Sequence, residues 1–247
     1  MTSIIFDLDG TLVDSAMVLR DVGNSLLSEL GLRPMTTEEA RRYIGNGAKV
    51  FVEKMLGARD ALDPETFAGN FARYSVLYAA APGETNVRFP YVDETLRALA
   101  AEGYRLALCT NKPTAPTDVL LVAHEWADLF GAVVCGDTLP ERKPHPEPLH
   151  EAARQLGEPP VIYVGDSEVD AAAAEAAGYP FFLYTEGYRS EPPDTLAHDV
   201  AFADFRELPK KNTDIYLDAL RLVAGWCQQA NLFVSLRALI VVSFPLI

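Results

Sequence analysis

Apolar runs of strand length alternate with amphipathic stretches along the second half of the chain, and this alternation constrains the fold more than any other feature. Between Tyr91 and residue 184, each short apolar run is followed by a stretch whose apolar residues recur at helical spacing. Strands that alternate with helices pair in parallel, and the helices then cover both faces of the sheet. We predict strands at 104–109, 132–135, 161–164 and 181–184, and helices at 92–102, 115–125, 147–156 and 168–177.

The stretch FDLDGTLVDS follows directly on a further apolar strand at residues 3–6. Gly10 permits the backbone to turn where that strand ends. Because side chains alternate along a strand, Asp7 and Asp9 are expected on one face, where two like charges raise each other's pKa unless a cation lies between them. A calcium loop is excluded by its spacing, since its glycine is sixth and its glutamate twelfth, whereas here Gly10 is fourth and Val18 twelfth. The acidic pair therefore indicates a metal or a chemical role.

Residues 15–80 are almost wholly helical in their pattern of apolar positions. Thr36 or Thr37 is suited to cap one of these helices, and Asp63 to begin another. The simplest assembly places strand 3–6 in the parallel sheet and makes the helical block an insertion after it. We predict an α/β fold, a parallel Rossmann-like sheet with helices on both faces and an inserted α-helical cap domain. The predicted boundaries are 1–14 and 86–208 for the core, 15–85 for the cap and 209–247 for an apolar C-terminal tail.

The charge balance of 21 Lys and Arg against 35 Asp and Glu gives a net charge of -14. Such a chain repels nucleic acid and anionic membranes, so the expected partner is a small phosphorylated metabolite, and a homodimer is left open. Cys109, Cys135 and Cys227 have no CxxC spacing, which fits packing residues in a reduced cytoplasm. The N-terminus lacks a signal-peptide pattern, and we predict a cytoplasmic protein.

The tail ends in NLFVSLRALIVVSFPLI, which is strongly apolar but holds only 17 residues, with Arg237 among them. A membrane-spanning helix is therefore not favoured. A docking helix, a self-association segment and a sequencing frameshift are the three readings that the sequence leaves open.

Polar side chains follow three of the predicted strands at their carboxyl ends, where open parallel sheets bind ligands. Carboxylates, hydroxyls and ammonium groups on one edge suit a divalent cation together with a phosphoryl group, because Mg²⁺ takes hard oxygen ligands and the donors meet phosphate oxygens. One carboxylate then remains free to attack. The residues are Asp7, Asp9, Gly10 and Thr11; Thr110, Asn111 and Lys112; Asp166, Ser167 and Asp170; and, in a further loop, Lys143.

These segments occur in the order of four family motifs, and the chain is identified by them as a member of the haloacid dehalogenase superfamily, in its phosphatase branch. DLDGTLVDS corresponds to the first motif, Thr110 in LCTNK to the second, Lys143 in ERKPHPEPL to the third and GDSEVD to the fourth. Within the superfamily, IGNGA, TNKP, CGDTL and KPHPEPL look most like the sequences of phosphoglycolate phosphatases. The match spans residues 3 to about 208.

The resemblance implies an Mg²⁺-dependent phosphate monoester hydrolase whose favoured substrate is 2-phosphoglycolate. Asp7 would attack phosphorus to form an aspartyl-phosphate, and Asp9 would protonate the leaving alkoxide and then activate water. The side chains of Asp7 and Asp166 and the carbonyl of Asp9 would hold Mg²⁺. Asp170 would orient Lys143 or a metal-bound water.

The same resemblance implies a set of substrate contacts. Thr110 and Lys143 would clamp the phosphate oxygens, with Gly10 and Asn111 beside them. A lid over an anionic substrate also requires a cation that faces inward, and Lys49, next to GNG, is the candidate.

Other functions place similar residues on a sheet edge. A sugar-phosphate phosphatase, a pyrophosphatase or a phosphomutase of the same superfamily is the nearest alternative. A phospho-accepting receiver module is disfavoured because it has no need of Asp9 as a proton donor or of a large helical lid. The dehalogenase branch of the superfamily lacks an aspartate at the position of Asp9.

Overall fold

A six-stranded parallel sheet forms the centre of the molecule, with the strand order β5-β4-β1-β6-β7-β8. In the computed structural model the described residues are 2–157 and 160–209. A separate antiparallel pair, β2 and β3, lies beside the sheet. The predicted parallel α/β fold is confirmed. The strands are β1 Ser3–Phe6, β2 Val13–Asp14, β3 Val87–Arg88, β4 Arg105–Cys109, β5 Ala132–Val134, β6 Val161–Gly165, β7 Phe181–Tyr184 and β8 Val200–Phe202.

Helices connect the sheet strands and also fill the segment between β2 and β3. The predicted helix boundaries agree with the structure to within two residues. The sequence pattern did not predict β2 or β3, because two residues are too short to display a period, and it also missed the three-residue β8. The helices are α1 Ala16–Glu29, α2 Thr37–Tyr43, α3 Gly47–Gly57, α4 Pro64–Ala79, α5 Val92–Ala101, α6 Thr114–Ala123, α7 Glu147–Gln155 and α8 Glu168–Ala177.

Both faces of the sheet are buried against helices. Along β1, Ile4 and Phe6 belong to one hydrophobic cluster, whereas Ile5 belongs to the cluster on the opposite face. Successive side chains of a strand point to opposite faces of the sheet, as seen here. Because both faces are buried, the sequence of β1 is apolar at consecutive positions. Cys109 and Cys135 are buried and free, as predicted for packing residues.

The four helices α1–α4, here called the cap, share a third hydrophobic cluster of their own. Thr36 caps α2 and forms a reciprocal capping box with Glu39, and Asp63 caps α4. These local hydrogen bonds satisfy backbone N–H groups that have no partner within the helix. The domain boundaries that the sequence indicates for the cap stay a prediction.

The register of the central strands fixes which loops meet. Phe6 at the end of β1 pairs with Leu108 of β4 and Val164 of β6. The residues that follow these three strands therefore emerge side by side at one edge of the sheet, which positions the candidate site.

No helix among residues 2–157 and 160–209 is long and apolar enough to cross a membrane. Residues 210–247, which include Cys227 and all but the first residue of the predicted tail, lie outside the described residues.

Candidate active site

The ammonium group of Lys143 links the end of β1, strand β6 and helix α8. Its Nζ atom donates to Asp7 Oδ1 at 2.7 Å, to Tyr163 Oη at 2.7 Å and to Asp170 Oδ1 at 2.8 Å. An ammonium group has three N–H donors, so all three are used. Lys143 is 4% exposed. The structure thus places the predicted phosphate clamp in direct contact with the predicted nucleophile.

Asp170 is held on every side by donors. Its Oδ1 atom accepts from Lys143 and from Tyr163 Oη, and its Oδ2 atom accepts from Ser167 Oγ at 2.6 Å and from the backbone N–H groups of Asp166 and Ser167. Burial favours the neutral acid, but Lys143 and the hydrogen bonds outweigh it and hold the pKa of Asp170 below its ordinary value. An ionised Asp170 in fixed orientation is therefore available to position Lys143.

Asp166 lies at the end of β6 and contacts the turn after β1. Its Oδ1 atom accepts from Thr11 Oγ1 at 2.7 Å, and its Oδ2 atom accepts from the Tyr188 backbone N–H. Gly10 has φ +95°, and a Cβ atom there would lie 2.4 Å from Asp166 Oδ2. Position 10 therefore requires glycine, because of its positive φ angle and because a Cβ atom would clash with Asp166. The absence of a side chain lets the backbone of the turn approach this carboxylate.

Asp9 forms an ion pair that the sequence analysis did not predict. Lys112 Nζ donates to Asp9 Oδ1 at 2.9 Å and lies 5.0 Å from the centroid of the Tyr78 ring. The Lys112 side chain is 1% exposed and that of Asp9 is 13% exposed. A lysine is thus buried beside the predicted acid and base.

The site carries more negative than positive charge. Burial raises the pKa of Asp7 to about 7, although Lys143 opposes this, and burial raises the pKa of Asp166 well above its ordinary value. With all six groups ionised, the four carboxylates carry two more negative charges than the two ammonium groups can balance. One divalent cation would balance them. The carboxylates are Asp7, Asp9, Asp166 and Asp170, and the ammonium groups are Lys112 and Lys143.

The donor set fits a hard divalent cation. One oxygen from each of Asp7, Asp166 and Asp170 can lie within 4.8 Å of the others. Asp170 already accepts five hydrogen bonds with four lone pairs, so Asp7 and Asp166 are the carboxylates that retain capacity. All-oxygen ligands are those that Mg²⁺ prefers.

Thr110 and Asn111 occupy the end of β4. Thr110 is 4% exposed, and its Oγ1 atom accepts from the Lys112 backbone N–H at 3.2 Å. The Asn111 amide donates to the carbonyl oxygens of Gly45 and Lys143, each at 2.9 Å, and its Oδ1 atom accepts from the Lys143 backbone N–H. Asn111 therefore ties the cap to the core rather than presenting a free amide to substrate.

A cavity lies between the sheet edge and the cap. Asp7, Asp9 and Thr110 line it from the core, and apolar and aromatic side chains line it from the cap. Lys49 lines an adjoining cavity instead, with its side chain 56% exposed and its Nζ atom 4.0 Å from Glu53. The structure thus brings together the predicted core residues and places Lys49 outside their cavity.

Three further residues take part in the site without having been assigned a role from the sequence. Position places Thr11 and Lys112 at strand ends, as the sequence indicated, but does not show what either contacts. Tyr163 gives no such signal, because an aromatic residue inside an apolar strand is expected in the core.

Comparison with known proteins agrees with this fold. Residues 4–184 match the sequence model of the haloacid dehalogenase-like hydrolases. A phosphoglycolate phosphatase of Cereibacter sphaeroides is 44% identical over 210 residues, which cover 85% of this chain and 96% of that protein. One from Rhodobacter capsulatus is 40% identical over 213 residues, covering 84% and 94%. A crystal structure described as a predicted phosphoglycolate phosphatase from Haemophilus somnus has a TM-score of 0.78 and 34% identity, covering 85% and 97%.

The fold is thus shared with a structure of this kind, and the sequence with curated relatives. The chain belongs to the haloacid dehalogenase-like hydrolase family. Within that family it is similar to proteins named phosphoglycolate phosphatase.

Proposed function

We propose that the chain hydrolyses small phosphate monoesters through an aspartyl-phosphate on Asp7, with 2-phosphoglycolate as its substrate. The observation that carries the proposal is the environment of Asp7, which lines the cavity floor with one oxygen bound to Lys143. Its other oxygen makes no hydrogen bond to residues 2–157 or 160–209 and is available for attack.

The first half of the reaction transfers the phosphoryl group. Asp7 forms a bond to phosphorus while the ester oxygen leaves, and Asp9 gives that oxygen a proton. Lys143 holds the attacking carboxylate in place, and Asp170 fixes Lys143. Thr110, buried at the cavity wall, supplies a hydroxyl to the phosphate oxygens.

The second half of the reaction returns Asp7 to its free state. Asp9 takes a proton from water, whose oxygen then attacks phosphorus and releases inorganic phosphate. Asp7, Asp166 and the Asp9 carbonyl would hold Mg²⁺. When Mg²⁺ is bound, its charge keeps Asp7 ionised and offsets the negative charge on the phosphoryl group.

The cap side chains that line the cavity favour a small leaving group. The cavity walls are formed partly by the cap, so a bulky sugar would have to displace cap side chains such as Phe51. Binding energy away from phosphorus helps to assemble the catalytic geometry, and an ill-fitting substrate therefore loses kcat as well as affinity. The names of the relatives support the choice of phosphoglycolate.

A panel of phosphate esters tests the substrate. We expect kcat/KM for 2-phosphoglycolate to exceed that for a hexose 6-phosphate and for pyrophosphate, measured by release of inorganic phosphate. A higher kcat/KM for the hexose phosphate or for pyrophosphate would contradict the proposed substrate but not the proposed phosphatase activity. Isomerisation of a hexose phosphate on addition of glucose 1,6-bisphosphate, without phosphate release, would identify a mutase.

Removal of the metal tests the cation. We expect excess EDTA to stop phosphate release and added Mg²⁺ to restore it, because four carboxylates at one edge otherwise carry uncompensated charge. The same chelation should leave far-UV circular dichroism unchanged, which separates a catalytic role from a structural one. Turnover that persists in EDTA would contradict the metal assignment.

The remaining predictions about cellular context stay predictions. A small phosphorylated metabolite as partner is part of this proposal, and the acidic net charge supports the exclusion of nucleic acid. The cytoplasmic location and a homodimer rest on the sequence alone.

A further inference from the structure

A buried hydroxyl group in the wall of the active-site cavity has no partner. Tyr74, on the cap helix α4, is 0% exposed and lines the cavity together with Asp7 and Asp9. Its Oη atom makes no hydrogen bond within the described part of the chain. A buried donor without an acceptor destabilises the folded state, so this hydroxyl is placed to meet an acceptor that enters the cavity.

An ammonium group with spare donors lies in the same cavity. Of the cavity-lining residues, all of which fall within the described ranges, Lys112 is the one cation. Its Nζ atom makes one hydrogen bond to residues 2–157 or 160–209, to Asp9 Oδ1 at 2.9 Å, and therefore retains two N–H donors. The Tyr78 ring is a neighbour of both residues, its centroid 5.0 Å from Lys112 Nζ and 5.7 Å from the centroid of the Tyr74 ring.

Two donors, one of them charged, are a typical set for binding a carboxylate. The position of Lys112 also limits where that carboxylate can be on the substrate. If Asp9 protonates the leaving oxygen, a cation in contact with Asp9 lies beside whatever is attached to that oxygen. A carboxylate one carbon away from the ester oxygen, as in 2-phosphoglycolate, falls next to Lys112, whereas a longer chain carries its acid group past it.

We propose that Lys112 and Tyr74 form a subsite for the carboxylate of a 2-phosphorylated hydroxy acid, next to the proton donor Asp9. This inference rests on the proposed function and names the residues that select its substrate. Lys112 belongs to the core loop after β4 and Tyr74 to the cap, so the subsite is complete only while the cap is seated on the core. Selection for the carboxylate is thereby linked to closure of the cavity.

The test compares two esters of similar size, 2-phosphoglycolate and ethyl phosphate, which lacks the carboxylate. The readout is the ratio of their kcat/KM values in the wild type, Lys112→Met and Tyr74→Phe. Lys112→Met also removes the partner of Asp9. Any resulting change in kcat/KM applies to both esters and therefore cancels in the ratio. Lys54→Met removes an exposed lysine from the cap and serves as the matched control.

We expect the ratio to favour 2-phosphoglycolate in the wild type and to fall about 10- to 100-fold in Lys112→Met and about 10-fold in Tyr74→Phe, because hydrogen bonds to a charged group are lost. Tyr74→Phe also removes an unsatisfied buried hydroxyl, so its Tm should be unchanged or higher while its ratio falls. A merely structural role for Tyr74 would not produce that combination. Lys54→Met should retain the wild-type ratio.

The outcomes distinguish this inference from the proposed function. A wild type that prefers 2-phosphoglycolate, with the ratio unchanged in both variants, would overturn the subsite and leave the function standing. A fall of the ratio in Lys49→Met instead would assign the carboxylate to Lys49 and would also overturn it. A wild-type ratio near one would reject the proposed substrate and the subsite together.

Discussion

Asp7→Asn is expected to reduce turnover of 2-phosphoglycolate by at least roughly 10⁴-fold, because an amide cannot act as the nucleophile that forms the phosphoryl intermediate. The variant should nevertheless fold. Burial raises the pKa of Asp7 to about 7, which means that the ionised carboxylate is disfavoured at this position, and an uncharged amide removes that penalty. We therefore expect a Tm in EDTA that is equal to or above that of the wild type, with kcat lost.

Asp9→Asn is the matched variant at the neighbouring carboxylate. An amide at this position cannot shuttle a proton, but Asp7 remains intact, so slow phosphorylation without normal hydrolysis is expected. Intact-protein mass spectrometry after addition of substrate should show an added phosphoryl group in Asp9→Asn and none in Asp7→Asn. Wild-type rates in either variant would exclude the mechanism.

Lys143→Met is expected to cause the largest loss of stability among the site variants. Its ammonium contacts both Asp7 and Asp170, all three side chains being nearly inaccessible to solvent. Removing one member of a buried ion pair leaves the other uncompensated and costs about 3–5 kcal/mol. Urea unfolding in EDTA should show this loss, and the double variant Lys143→Met/Asp170→Asn should recover part of it. Equal stability of wild type and Lys143→Met would refute the charge balance described for the site.

The pH dependence of that loss has a definite sign. The pKa of Asp7 is about 7 in the folded protein against an ordinary value of 3.8, so the folded state binds a proton as pH falls through about 7 while the unfolded state does not. Protonation therefore stabilises the folded state on the acid side. Because Lys143 lowers the pKa of Asp7, Lys143→Met binds this proton at a higher pH than the wild type does, so its deficit in the absence of metal should be greater at pH 9 than at pH 7 or pH 5. Unfolding curves at these pH values measure it.

The core of the site was predictable from sequence because it follows from local patterns. An apolar strand that runs into Asp7, and another that runs into Asp166, identify two strand ends, and parallel pairing through Phe6 and Val164 brings them together. Thr110 follows from the same argument on β4. Each of these residues is placed by its distance from the end of its own strand.

Contacts between distant segments were not predictable in this way. Lys112 meets Asp9 across 103 positions of sequence, and Asn111 meets Gly45 across 66, and nothing in the local pattern of either residue specifies its partner. The position of Lys49 was not predictable because the orientation of α3 relative to the cavity was unknown. Gly47, Ala48 and Phe51 line the cavity from α3, with Gly47 and Phe51 about one turn apart. At 3.6 residues per turn, position 49 lies on a different face of the helix.

The hydrogen bonds of Asn111 are divided unequally between the two parts of the molecule. Two of its bonds remain within the core, to the backbone of Lys143, and one reaches Gly45 on the cap side. Separating the cap would break the single bond to Gly45 and leave the Lys143 loop held. If the cap opens between turnovers of the proposed reaction, we therefore expect the core residues to stay assembled, so that substrate meets Asp7 already held by Lys143 and product leaves without that contact being rebuilt.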